Sequence, residues 1–226
     1  MSRLRGVLFD AGGTLVQLHV ERLADALRAR GADPEDLDGA FWRTLVHMDA
    51  AFAGEIPNAD GWAAWWFGRL AEESGLDVAL LSEAWRKADD AQHLWDAAIP
   101  GAIECLTRLR EGGLKIGVVS NADGRIEEAL ARAGLADFFE VVVDSGVVGV
   151  AKPDPAIFDH ALRPLDLAPE ETWYIGDTVV FDAAGADAAG LTSWIIDHRG
   201  LHTVAHPRRV SSLSLFADAA LRAARS

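Results

Sequence analysis

"GVLFDAGGTLV", residues 6–16, decides how the rest of the chain is read. A short apolar run, Gly6 to Phe9, ends on Asp10, and the chain then turns through Gly12 and Gly13. An apolar run without polar alternation is the pattern of a strand buried on both faces, as in a parallel sheet. An acid at the carboxyl end of such a strand stands where open α/β sheets bind their ligands. Four more runs share this character: "KIGVVS" (115–120), "EVVVDS" (140–145), "TWYIG" (172–176) and "TSWIID" (192–197). Helical patterns lie between them. "AIECLTRLREGG" and "GRIEEALARAGL" end on glycine C-caps, and "DPAIFDHALRPL" runs into Pro164. This alternation predicts an α/β fold, a doubly wound and mostly parallel Rossmann-like sheet.

Residues 18–98 break the alternation. They carry no strand pattern and read as helices over 20–30, 35–53, 59–74 and 77–94. Trp62, Trp65 and Trp66 fall at i, i+3 and i+4 on one helical face, the pattern of a buried stripe. A stretch this long between two strands needs structure of its own. The expectation is an inserted all-helical cap domain (18–98) on an α/β core made of 1–17 and 99–226. The last helix, within "SSLSLFADAALRAA", should pack back on the sheet.

Composition narrows the function classes. Half of the 226 residues are apolar, enough for a sizeable core. Lys and Arg total 21 against 35 Asp and Glu, a formal net charge of −14, a surface that should repel nucleic acid and anionic membranes, so neither is expected as a partner. An anionic small molecule would need positive charge placed locally. Cys105 is the sole cysteine, which precludes an internal disulfide and points to a reducing compartment. The N-terminal apolar run is too short for a signal-peptide core, and nowhere do about 18 uncharged apolar residues run together. The expected location is cytoplasmic.

Polar residues recur at successive strand ends: Asp10 and Thr14, Ser120 and Asn121, Lys152, and Asp177 with Asp182. In "FDAGGTL", "VVSNAD", "VAKPDPAIF" and "YIGDTVVFDAAGA" the chain resembles the haloacid dehalogenase superfamily, most of whose members are phosphatases. The resemblance spans nearly the whole chain, with the insertion in the place of that family's small helical cap. It implies Mg²⁺ as cofactor and a small phosphorylated metabolite as substrate. Asp10 would be the nucleophile, forming an aspartyl-phosphate, and Lys152 would neutralise charge. Thr14, Ser120 and Asn121 would hold phosphoryl oxygens. Asp10, Asp177 and the backbone carbonyl of Gly12 would bind the metal, with Asp182 acting through water or by orienting Lys152. The chemistry of the side chains agrees. A positioned carboxylate can attack phosphorus, a turn before a helix presents N–H groups to an anion, and converging carboxylates suit Mg²⁺.

One position departs from that pattern. Most phosphatases and mutases of the family carry a second aspartate two residues after the nucleophile, as general acid and base; here it is Gly12. The carbonyl survives and the proton donor does not, at a typical cost of about 10²–10⁴-fold for a poor leaving group. This disfavours a phosphomutase and favours a phosphate monoester or acyl phosphate whose leaving group is stable as an anion. Arg43, His47 and Glu55 from the insertion, and Gln17 and His19 at its start, are candidates to replace the acid. Three alternatives stay open. A metal-independent 2-haloacid dehalogenase also lacks the second aspartate. A phosphonate-cleaving enzyme would need a cap lysine, and only Lys87 is present. A phosphate-binding relative with little turnover is the third. His198, His202 and His206 repeat every four residues, but Gly200 and Pro207 argue against a helix there, so loop packing is expected over a metal site.

Overall fold

The computed structural model describes residues 3–226; Met1 and Ser2, at the head of the expected core segment, lie outside the described residues. The chain opens with β1 (Gly6–Phe9) and the two-residue β2 (Val16–Gln17). Four helices follow: α1 (Val20–Arg28), α2 (Leu37–Ala51), α3 (Ala59–Ser74) and α4 (Val78–Ala91). Strand β3 (Ala97–Ala98) then pairs antiparallel with β2, so the helical segment leaves and returns through one short ribbon. Next come α5 (Ala102–Glu111), β4 (Lys115–Ser120), α6 (Ile126–Arg132), β5 (Val141–Asp144), the single turn α7 (Ser145–Val148) and α8 (Ala156–Leu165). After β6 (Thr172–Gly176) the chain makes a π-helical turn (Val179–Ala183). It continues into α9 (Ala184–Ala188), β7 (Thr192–Ile196), β8 (Arg209–Val210) and α10 (Leu213–Ala223).

The main sheet has the order β5-β4-β1-β6-β7-β8, with every pair parallel. The chain moves outward from β1 in one direction through β4 and β5, then in the other through β6, β7 and β8. Strand β1 is therefore the switch point, and open α/β sheets bind ligands beyond the carboxyl ends at such a point. The period of two explains the unbroken apolar runs. Val7, Phe9, Val118 and Ile175 face α5 and α10, while Leu8, Val119 and Tyr174 face α8, so both faces are buried. Phe216 of α10 packs edge-on against Phe9, ring centroids 5.8 Å apart, as the sequence led us to expect of the last helix.

Local chemistry starts and stops the inserted helices. Asp36, Asn58 and Asp77 each cap a helix N-terminus through a side-chain oxygen, and α3 ends on Gly75 at φ 68°. Helices α1, α2 and α4 are shorter than the sequence predicted, because these caps and the loops between them take the outer residues. Trp66 is buried at the centre of the segment, with Phe41, Trp85 and Trp95 around it at 6.0–6.2 Å. Trp62 stacks on Trp66 at 5.6 Å from the solvent side, and Trp65 packs on Phe52. No helix among the described residues is long and apolar enough to cross a membrane.

Candidate active site

Asp10 follows β1 directly, and its backbone N–H donates to the Ile175 carbonyl of β6 at 2.8 Å, fixing it at the switch point. Its side chain is buried and meets Lys152, whose Nζ lies 2.5 Å from Asp10 Oδ1, 2.7 Å from Asp182 Oδ1 and 2.8 Å from the Tyr174 hydroxyl. The lysine's backbone is clasped by Asn121 at the end of β4. The Asn121 amide donates to the Lys152 carbonyl at 2.9 Å and accepts from its N–H at 2.7 Å. Asp182 sits in the π-helical turn, where its Oδ2 accepts from Thr178 N at 2.9 Å and Thr178 Oγ1 at 2.6 Å. Asp177 follows β6 and lies against Gly13. A Cβ on Gly13 would stand 2.3 Å from Asp177 Oδ2, and the φ of +74° there favours glycine independently. One carboxylate oxygen from each of Asp10, Asp177 and Asp182 lies within 4.8 Å of the others.

Three buried carboxylates share one lysine, and their protonation shows the imbalance. Burial, offset by the Lys152 charge and reinforced by Asp182, pushes Asp10 up to about 6. Burial, then Asp182 and Asp10, push Asp177 well above the usual carboxylate range. Burial alone would raise Asp182 too, but the charge and hydrogen bond of Lys152 outweigh it and hold this carboxyl low. The two aspartates likewise outweigh burial at Lys152 and keep it charged. Tyr174, raised by burial and by Asp182, stays a neutral phenol that accepts from Lys152 and offers its one proton to Asp182 or the Val119 carbonyl.

This set fits a divalent metal ion. Asp10 and Asp177, whose carboxyls are pushed up because one lysine does not balance three acids, offer hard oxygen donors side by side that a divalent cation would hold ionised, while both Asp182 oxygens are already engaged. Thr14 adds a fully buried hydroxyl without a hydrogen-bond partner in the same turn. Ser120 is buried at the end of β4, and Gly12 is half-buried in the turn after Asp10. Asn121 lies at the same strand end, where one amide N–H and the amide oxygen clasp the Lys152 loop and the second amide N–H is left over.

Two of the candidates from the insertion are engaged between its own helices. Arg43 bonds Glu73 and Asp36, and His47 accompanies Arg69 and the Arg43 carbonyl, a network joining α2 to α3. Glu55 is exposed, as is Lys87 on α4; Gln17 lies in β2, and His19 precedes α1 without capping it. The three histidines diverge. His198 Nε2 lies 3.4 Å from the Thr14 carbonyl, His202 Nδ1 3.5 Å from Asp49 Oδ2, and His206 Nε2 3.2 Å from Ser193 Oγ. Burial pushes the Cys105 thiol up to about 12, which removes it as a nucleophile.

Two residues escaped the sequence reading. Tyr174 was legible only as part of an apolar run. Asp49, on α2, is almost fully buried, and its Oδ1 accepts from Val179 N at 2.7 Å and Val180 N at 2.9 Å. An inserted helix thus holds the turn between Asp177 and Asp182. The available signal was an acid on the same helix face as buried Leu45, Met48 and Phe52. Asp49→Ala leaves two N–H groups without their acceptor and is expected to cost about 2–3 kcal/mol in urea denaturation, with Asp49→Asn recovering most of it.

Comparison with known proteins gives the family. A family model described as haloacid dehalogenase-like hydrolase matches residues 4–190. The chain is 31% identical to the glyceraldehyde 3-phosphate phosphatase of Methanopyrus kandleri, covering 91% of this chain and 88% of the relative. It is 39% identical to haloacid dehalogenase-like hydrolase domain-containing protein 3 of Mus musculus, covering 86% and 82%. Among solved structures, a HAD family hydrolase from Deinococcus radiodurans R1 with bound phosphate and sodium superposes with a TM-score of 0.68. It is 26% identical, and 99% of this chain and 97% of that one are covered.

Proposed function

The chain belongs to the haloacid dehalogenase-like hydrolases, and from that premise we propose a Mg²⁺-dependent phosphatase that hydrolyses a small phosphate monoester or acyl phosphate through Asp10. The observation that carries the reading is the buried Asp10–Lys152–Asp182 chain beside Asp177, with one cation for three carboxylates. A 2-haloacid dehalogenase has no use for that surplus of negative charge. The relative from Methanopyrus kandleri, a phosphatase by name, supports phosphate hydrolysis as the reaction.

In this reading an Asp10 carboxylate oxygen attacks phosphorus, and the bond from phosphorus to the leaving oxygen breaks with its electron pair on that oxygen. Water then cleaves the aspartyl-phosphate, releasing inorganic phosphate and restoring the Asp10 carboxylate. Lys152, held charged by Asp10 and Asp182, offsets the negative charge of the transferring group. Thr14, Ser120 and the backbone after β4 receive its oxygens. Asp10, Asp177 and the Gly12 carbonyl hold Mg²⁺, which supplies electrostatic stabilisation of the phosphoryl oxygens when bound. Residues 18–98 act as a cap on the core (1–17 and 99–226), as the Asp49 contacts with Val179 and Val180 suggest. The single buried cysteine suits the cytoplasm.

Phosphate release from acetyl phosphate and p-nitrophenyl phosphate, with Mg²⁺ or with excess chelator, tests the reading. Turnover with Mg²⁺ that chelator abolishes is expected. Equal turnover in chelator would overturn the metal role, and no release from either compound would overturn the phosphatase.

A further inference from the structure

Gly12 does more than lack a side chain. A Cβ built on it would stand 3.1 Å from Cζ3, 3.2 Å from Cε3 and 3.8 Å from Cη2 of Trp95. The space into which any side chain at position 12 must grow is therefore filled by the edge of an indole. That indole belongs to the segment joining α4 to β3, and it is braced. Phe41 meets it edge-on at 5.2 Å and Trp66 lies at 6.1 Å. Its backbone N–H donates to His93 Nδ1 at 3.1 Å. On one side Leu94 N donates to Asp89 Oδ1 at 2.8 Å, and on the other the buried Asp96 is held by Arg22 and Gln92. A ring fixed by this many contacts does not swing aside at little cost.

We propose that Trp95 is a specificity-determining residue. It replaces the proton-donating position at the turn after the nucleophile with hydrocarbon, and so confines turnover to phosphoryl donors whose leaving oxygen is stable as an anion. Those are acyl phosphates, which release a carboxylate, and aryl or enol phosphates. Alkyl phosphates leave as alkoxides and need a proton as the bond to phosphorus breaks, and carbon–hydrogen edges cannot supply one. This inference rests on the phosphatase reading and narrows its substrate class.

The test is the dependence of kcat/KM on the leaving group, measured with Mg²⁺ across acetyl phosphate, p-nitrophenyl phosphate, phenyl phosphate and glycerol 2-phosphate. The parent enzyme is expected to favour acetyl phosphate over glycerol 2-phosphate by at least about 10³-fold, within the range that general acid catalysis spans. In Gly12→Asp/Trp95→Ala, where a carboxyl group replaces the indole edge, the ratio of glycerol 2-phosphate to acetyl phosphate turnover is expected to rise about 10²-fold. Gly12→Asp with Trp95 in place is not expected to raise it. Parent rates on the alkyl and acyl compounds within tenfold of each other would overturn this inference alone, because another group would then be supplying the proton. That result needs no variant to fold. An unchanged ratio in a folded double variant would overturn it as well. Release of phosphate from none of the compounds would overturn the phosphatase reading, and this inference with it.

Discussion

Asp10→Asn is expected to lose turnover by on the order of 10⁴–10⁶-fold while leaving the metal-free protein at least as stable as its parent at pH 7.5. The first half follows from chemistry, since an amide oxygen does not form the phosphoryl ester that a carboxylate forms. The second half follows from burial. The Asp10 carboxyl is pushed up to about 6 from an ordinary 3.8, so the folded state holds its proton more tightly than the unfolded chain does. Folding stability from this group is thus present below the unfolded value and is lost as pH rises toward 6. Asparagine has no charge to bury and escapes that loss. Urea denaturation in chelator should give the variant a midpoint equal to or above the parent at pH 7.5. The gap should close near pH 4, where the parent carboxyl is protonated. A clearly lower midpoint at pH 7.5 would mean that the contact with Lys152 outweighs the burial.

Lys152→Met has the opposite consequence for the fold. The variant keeps the three buried carboxylates and removes the cation they share, and breaking a buried pair in this way typically costs about 3–5 kcal/mol. The carboxyl of Asp182, now held low by that lysine, should rise with the others. Carboxyls raised in the folded state destabilise it as pH climbs through their folded values, so the variant should be more stable at pH 5 than at pH 7.5. Denaturation at the two pH values checks the sign. Equal stability at both would show that water reaches the cluster and solvates the charges. Activity should fall with the loss of charge at the reacting group, and Lys152→Arg should not restore it. A guanidinium fork does not reproduce a single Nζ bonded to Asp10, Asp182 and Tyr174 within 2.8 Å.

Much of this centre could be read in advance because a parallel sheet brings its carboxyl ends together. Once Gly6–Phe9, Lys115–Ser120 and Thr172–Gly176 read as neighbouring buried strands, Asp10, Ser120 and Asp177 had to converge. What stayed hidden depended on contacts that no local pattern encodes. Asn121 carries a motif position, yet its amide serves the Lys152 loop, a pairing across 31 residues. Asp49 meets Val179 across 130 residues of chain, and only its burial on a helix face hinted at a partner. The empty position at Gly12 was visible, but the indole beside it comes from the far end of the insertion. The ribbons β2 and β3, two residues each, and the equally short β8 fall below the length at which periodicity speaks.

The place of β1 in the middle of the sheet governs the order in which a ribosome can complete the molecule. Gly6 pairs with Lys115 on one side and with Thr172 on the other. At roughly 5–20 residues per second, the strand bearing Asp10 emerges many seconds before either neighbour exists. The inserted helices, which pack on one another, can begin to gather during that interval, but the sheet cannot. A nascent chain therefore carries an unpaired, wholly apolar strand through about half of its synthesis, so aggregation and chaperone capture are hazards concentrated in the newborn polypeptide.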